Sequence, residues 1–343
     1  MALVHVTLLI GCATAIYLAC EWFVNAIEWL GVRLKMGTLA IGTVLAAIGT
    51  ALPESVVTLV AVTMRSSPAS KDIGVGAAMG GPLVLATIAY GVTGWMLIRR
   101  KRALSAMNGD SFRSVNRNLL ADVDLSRLPS DQTWFLCIFI VKVSLGLVAF
   151  ALKPWCGFLF FAAYSVYFFK EMRADAETHS SADLEPLKLQ PHRATPSGWA
   201  VLVQTIATLA IIFAASQLFV AQLEWAGPAL GLSAAVTALL LSPIATELPE
   251  IMNAIIWVKQ GKTSLALANI SGAMMIQATV PSGLGLLFTP WHFDRPLLLS
   301  GVITIIGILY LLWLLHTERF TSVRLALSAG FYAIFAFGLI LIV

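Results

Sequence analysis

The chain has 343 residues, of which 59% are hydrophobic and only 12% charged, whereas soluble domains carry roughly 25% charged residues. That composition excludes a disordered chain, a collagenous fibre and a nucleic-acid-binding domain. The formal net charge of +4 takes its meaning from which connecting loops carry it.

A membrane-spanning helix needs about 20 mostly apolar residues, and in chain order ten such runs are predicted. They cover 3–31, 36–64, 72–98, 133–151, 154–170, 198–226, 231–258, 263–288, 297–315 and 322–342. The first lacks the positively charged start of a signal peptide and its apolar run is too long for one, so it is read as a span. Polar stretches from Arg99 to Gln132 and from Glu171 to Ser197 are read as loops that can hold short surface helices. The second loop divides the chain into a first unit at 1–170, a linker at 171–197 and a second unit at 198–343, with five spans in each unit.

Seventeen of the 22 Lys and Arg residues fall on one side of this topology, in the two long loops and around Arg33, Lys35, Lys259, Lys262, Arg319 and Arg324. Four (Arg65, Lys71, Lys153 and Arg295) fall on the other. The positive-inside rule places the first side in the cytoplasm and both termini outside, in an inner or plasma membrane. Lys142 lies within the fourth span, where it either snorkels or pairs with a carboxylate.

The chain also repeats itself. Phe23-Val24 followed by Glu28-Trp29 recurs as Phe219-Val220 followed by Glu224-Trp225, and Leu52-Pro53-Glu54 recurs as Leu248-Pro249-Glu250, at one common offset. Because each copy holds an odd number of spans, the second must cross the membrane in the opposite sense. The expected fold is an all-α polytopic membrane protein with ten transmembrane helices in two inverted five-helix repeats, an arrangement that places secondary-transporter sites near the midplane.

The second span contains Gly49-Thr50-Ala51-Leu52-Pro53-Glu54 and the seventh Ala245-Thr246-Glu247-Leu248-Pro249-Glu250. In each, a proline frees a backbone carbonyl beside a threonine hydroxyl and a carboxylate. Such hard oxygen donors suit calcium or sodium. An acidic side chain at a helix centre costs about 2.5–3.5 kcal/mol to insert, so Glu54, Glu247 and Glu250 need compensation: from a bound cation, or from protonation and interhelical hydrogen bonds. Glu247 and Glu250 share a broad helix face and could meet Glu54 from the other repeat. The following spans are Gly-rich, with Gly74, Gly76, Gly80, Gly81 and Pro82 in the third and Asn269, Gly272 and Gln277 in the eighth. The glycines suit close packing; Asn269 and Gln277 are read equally as ligands or as packing residues.

These paired segments resemble the alpha repeats of the sodium/calcium exchanger family, within the cation/calcium antiporter superfamily. That family reads G-T-S-x-P-E on one helix and G-N-x-x-G-S-N on the next. The resemblance implies an antiporter working by alternating access, with the first and sixth helices sliding over a core of spans two, three, seven and eight. It implies calcium coordination by Glu54 and Glu250 with Thr50 and Thr246 as further ligands. The family's serine after each threonine is Ala51 in one repeat and Glu247 in the other. Its polar residue on the following helix is Leu85 in one repeat and Gln277 in the other. These departures remove expected sodium ligands and leave a proton on Glu247 or Glu250 as an alternative counter-ion.

The expected partners are therefore small inorganic cations and the lipid bilayer, and the ions are cargo, with no resident cofactor expected. The rival readings are a cation/proton or potassium-linked exchanger on the same fold, and a transport-inactive scaffold or sensor. Glu21, Glu28 and Glu224 lie near span ends and are read as structural or gating residues. Four cysteines without a CxxC pair give no zinc or disulfide signal. Five histidines without an HExxH sequence, and the absence of a nucleophile-base pair or phosphate loop, argue against an enzyme.

Overall fold

The computed structural model describes residues 2–63, 68–108, 125–174, 184–229, 240 and 242–342, and no strand occurs among them. The first half holds α1 (Ala2–Arg33), then α2 (Thr38–Ala40), a π-helical turn at Ile41–Ala46 and α3 (Ala47–Thr63). It continues with α4 (Pro68–Val84), a second π-helical turn at Leu85–Ala89, α5 (Tyr90–Asn108), α6 (Leu128–Leu147) and α7 (Cys156–Ala174). The second half holds α8 (Gly198–Ala229), α9 (Ser242–Thr246), α10 (Leu248–Gln260), α11 (Thr263–Phe288), α12 (Arg295–His316), α13 (Ser322–Ala326) and α14 (Ala329–Ile342).

Seven helical stretches among the described residues are long and apolar enough to cross a bilayer: Val4–Arg33, Val75–Ala106, Leu128–Leu147, Gly198–Phe219, Thr263–Phe288, Arg295–His316 and Ser322–Ile342. Of the other three predicted runs, two contain interrupted helices, α2 to α3 and α9 with α10, and the third holds the unbroken 19-residue α7. Outward-facing Leu159, Phe169, Trp199, Ile206, Phe337 and Leu341 are exposed, a surface that only lipid can cover favourably. The chain is an integral membrane protein.

Two predicted loop boundaries move. Helix α5 continues to Asn108, so Arg99 to Arg102 extend a helix instead of opening a loop. Helix α6 starts at Leu128 and α7 runs to Ala174, which brings Asp131, Gln132 and Glu171 out of the predicted loops and buries all three. Pro129 and Asp131 in the first turn of α6 suit a helix start, the proline through its fixed φ and the carboxylate through the helix dipole.

Burial ranks the helices. The apolar windows of α11 and of α4 to α5 are 83% and 78% buried, against 28% for α1 and 33% for α8. The Gly-rich third and eighth spans therefore form the centre. Glycine is needed where α11 crosses the π-helical turn: a Cβ on Gly42 would sit 2.8 Å from Ala268 Cβ and 3.0 Å from the Leu265 carbonyl, and one on Gly272 would collide with the Thr43 backbone.

At the periphery α1 and α8 pack along each other. His5 near the start of α1 bonds Gln222 at 2.7 Å and stacks on Trp225, near the end of α8. Arg33 at the other end of α1 donates to the Pro196 carbonyl just before α8 begins. The two helices are antiparallel, as two inverted copies require. The linker is tied to this pair: Asn25 donates to the Glu185 and Pro186 carbonyls, Trp29 Nε1 donates to the Glu185 carbonyl at 2.9 Å, and Leu187 is buried with Ala26, Trp29, Ala200 and Val201.

Candidate functional site

The two proline motifs fold differently. In the second repeat the helix breaks at Glu247, between α9 and α10, and Pro249 occupies the first turn of α10, where its missing N–H costs nothing. In the first repeat α3 runs unbroken through Pro53. Glu247 makes no side-chain cap to α10, so its carboxylate is turned to other partners.

Those partners are Gln277 and α4. Gln277 Nε2 donates to both Glu247 oxygens at 2.7 Å. Glu247 and Gln277 are each buried, and Gly81 on α4 lies against them: a Cβ there would stand 2.5 Å from Gln277 Oε1 and 2.8 Å from Glu247 Oε1. Neighbouring Gly80 packs in the same way on Pro243 of α9. Small residues at 80 and 81 thus let α4 of the first repeat press its backbone against the broken helix of the second.

Glu250 is 1% exposed, and lies within electrostatic reach of Cys20 on α1. Glu247 therefore engages α4 and α11, whereas Glu250 adjoins α1. Thr50 is buried and Thr246 half-buried; their hydroxyls donate to the Ala46 carbonyl at 3.1 Å and the Pro243 carbonyl at 3.2 Å. A hydroxyl that donates backward keeps its oxygen lone pairs for a cation. Asn269 is fully buried in α11, next to the Gly42 crossing, and neither end of its amide has a hydrogen-bond partner among the described residues. Such a group costs stability unless something satisfies it. Glu54 stands on α3, but its side chain lies outside the described residues, as does that of Glu224. No group of three His, Cys, Asp or Glu side chains converges among the described residues, so the donor set is mainly amide, hydroxyl and paired carboxylate oxygen.

Three features escaped the sequence. Asn253, one turn after Glu250 on α10, is fully buried with both amide atoms unpartnered among the described residues; an amide three residues from a mid-span carboxylate was its available signal. Gly81 was read chiefly as a packing residue, with the Gly81-Pro82 pair able to line a cavity, and it abuts the carboxylate and amide directly. A second polar cluster joins the helix ends: Glu171 accepts from Thr43 Oγ1 at 3.3 Å and lies 3.6 Å from Arg127, while Gln132 Nε2 donates to Tyr90 at 2.7 Å and Ser271 at 2.8 Å. It ties α5, α6, α7 and α11 together beside a cavity of about 10 Å³, the volume that one water needs.

Glu28 on α1 is buried, and accepts from Trp257 Nε1 at 3.0 Å and from Lys262 Nζ at 2.5 Å. It clasps the peripheral helix to α10 and the turn before α11. Glu28→Gln should retain the tryptophan bond and lose the ion pair, lowering stability by about 1.5–3 kcal/mol. Thermal unfolding in detergent measures this; an unchanged midpoint would show that the clasp contributes nothing.

Comparison with known proteins bears on this geometry. A family model described as sodium/calcium exchanger protein matches residues 4–170 and 200–343. The inner membrane protein YrbG of Escherichia coli (strain K12) is 25% identical over 352 residues, covering 96% of this chain and 95% of that protein. CaxA of Alkalimonas amylolytica, provisionally named an antiporter, is 25% identical over 304 residues, covering 86% and 83%. The chain also shares the fold of the sodium-calcium exchanger NCX_Mj soaked with 10 mM Na+ and zero Ca2+, with a TM-score of 0.72 at 20% identity over 97% of this chain and 98% of that one.

Proposed function

Because the chain belongs to the sodium/calcium exchanger family, we propose that this cation antiporter exchanges calcium for sodium by alternating access around Glu54 and Glu250. The observation that supports this most is the buried pair of Glu247 and Gln277 lodged against Gly81 of the other half, with Glu250 buried on the helix that follows the break at Glu247 and the unsatisfied Asn269 amide two turns earlier on α11. Hard oxygen donors of this kind favour calcium or sodium. Glu54, Thr50, Thr246, Glu247, Glu250, Asn269 and Gln277 are the proposed ligands or ligand-orienting groups.

In this reading α1 and α8 move as an antiparallel pair over the central helices, exposing the cluster alternately to each side. Calcium and the counter-ion compete for the same carboxylates, so only a loaded carrier reorients, and exchange follows. The protein sits in an inner or plasma membrane with ten spans, divided at 1–170 and 198–343, and both termini outside. A second reading, cation/proton exchange, is favoured by Glu247. It adds a carboxyl where the family has a serine and is held by an amide that can adapt to either protonation state.

The test is radioactive calcium uptake into proteoliposomes under outward sodium or outward proton gradients, for the wild type and Glu250→Gln. Sodium-driven uptake, lost in the variant, is expected. Uptake driven by protons alone would transfer the assignment to cation/proton exchange, and no flux under either gradient would favour a potassium-linked exchanger or a transport-inactive scaffold.

A further inference from the structure

Lys142 belongs to no motif of the proposed site, yet it lies beside it. It stands on α6 with none of its surface exposed, so it does not snorkel. Its ammonium donates to the Ala78 carbonyl at 2.6 Å, reaches the Gln277 carbonyl at 3.5 Å, and stands 5.1 Å from the centre of the Phe139 ring.

Both carbonyls are freed by proline. Pro82, inside α4, lacks the N–H that would bond the carbonyl of Ala78 four residues earlier; Pro281, inside α11, does the same for Gln277. Each of the two central helices thus presents one acceptor without its helical donor, at membrane depth. Such carbonyls are the groups with which broken transporter helices coordinate sodium. Here an amine on a four-carbon tether occupies them. Gln277 links the two settings: its carbonyl faces Lys142 and its side-chain amide holds Glu247.

We propose that Lys142 is a tethered cation, whose ammonium occupies the proline-freed carbonyls of Ala78 and Gln277 in place of one mobile monovalent ion. The inference rests on the antiporter reading in one respect, that the carrier then reorients with one fewer free positive charge. It also gives a reason why the sodium-site hydroxyls of the family are dispensable in this chain: part of the charge they would gather is already built in.

The test has a binding arm and a transport arm. The full-length chain in detergent is unfolded thermally in sodium chloride and in choline chloride, as wild type, Lys142→Ala and Lys142→Arg. Truncation leaves two acceptors that a small cation can reach and choline cannot, so the sodium-dependent rise in midpoint should be larger in Lys142→Ala than in wild type and Lys142→Arg. A sodium response equal in all three overturns the proposal. If Lys142→Ala does not fold, Lys142→Met and Lys142→Arg decide: recovery of the arginine variant alone is expected, and equal recovery or equal loss of both overturns it.

In the transport arm, calcium flux is balanced against sodium at a clamped potential in proteoliposomes. With equal sodium on both sides, one elementary charge changes the calcium gradient at balance by about 50-fold at 100 mV, and Lys142→Ala should move the balance point by that factor. An unmoved balance point overturns the tethered cation and leaves the antiporter standing. Absence of flux from the wild type, with the larger sodium-dependent rise present in Lys142→Ala, overturns the antiporter and supports the tethered cation.

Discussion

Gln277→Leu should abolish ion-driven flux and lower the thermal midpoint. Leucine nearly matches glutamine in volume, so the packing of α11 changes little while Glu247 loses the amide that bonds both its oxygens at 2.7 Å. A hydrogen bond to a charged group contributes about 1.5–3 kcal/mol. Glu247 cannot turn to water instead, because it is fully buried. A purely structural pair and an ion-handling pair make different predictions for the exchange Glu247→Gln with Gln277→Glu, which keeps one carboxylate facing one amide. Stability should return in that double variant. Flux should not, because the negative charge has moved from the broken helix to α11. Wild-type flux in Gln277→Leu would remove this pair from the ion path.

The elements that the sequence announces are those whose cause is local. A proline next to a carboxylate in an apolar run, repeated at one offset, is visible without knowing what packs on it. Pro53 and Pro249 show where local reasoning ends. The same tripeptide lies within the continuous helix α3 in one repeat and beside a break in the other. A proline costs a helix one hydrogen bond and one clash; whether the chain kinks, bends or breaks depends on its neighbours, here Gly80 and Gly81 pressing on Pro243 and Glu247.

Charged residues at helix ends were misplaced for a related reason. Asp131 and Glu171 read as loop residues because hydropathy registers a charge and not its partner. In the fold, Arg127 and Thr43 reach Glu171, and the helices can extend around them. Lys142 posed the same difficulty in reverse. Snorkelling and carboxylate pairing were the two sequence readings; complete burial excludes the first, and the ammonium donates to backbone carbonyls, which neither reading foresaw. The prolines that free those carbonyls are in the sequence, but their convergence on α6 is a property of the packing. The linker, read as a loop, holds to α1 through Asn25 and Trp29. A load on the linker therefore acts directly on the helix pair proposed to move.

Gly81→Ala should impair transport far more than it impairs stability. Overpacking a core with one methyl group costs typically about 1–3 kcal/mol, and alanine also favours a helix over glycine by about 1 kcal/mol, so the net loss of stability is small. The methyl group, however, falls 2.5 Å from Gln277 Oε1 and 2.8 Å from Glu247 Oε1. It must push the amide away from the carboxylate or α4 away from the broken helix. Either displacement spoils a ligand set whose geometry has to be held within a few tenths of an ångström. Gly76→Ala is the matched control: it lies on the same helix, and a Cβ there meets nothing within 4 Å. Calcium flux and thermal midpoint measured on both variants separate the effects. Equal flux from the two would mean that α4 does not shape the ion site, and would leave Gly80 and Gly81 with packing as their sole role.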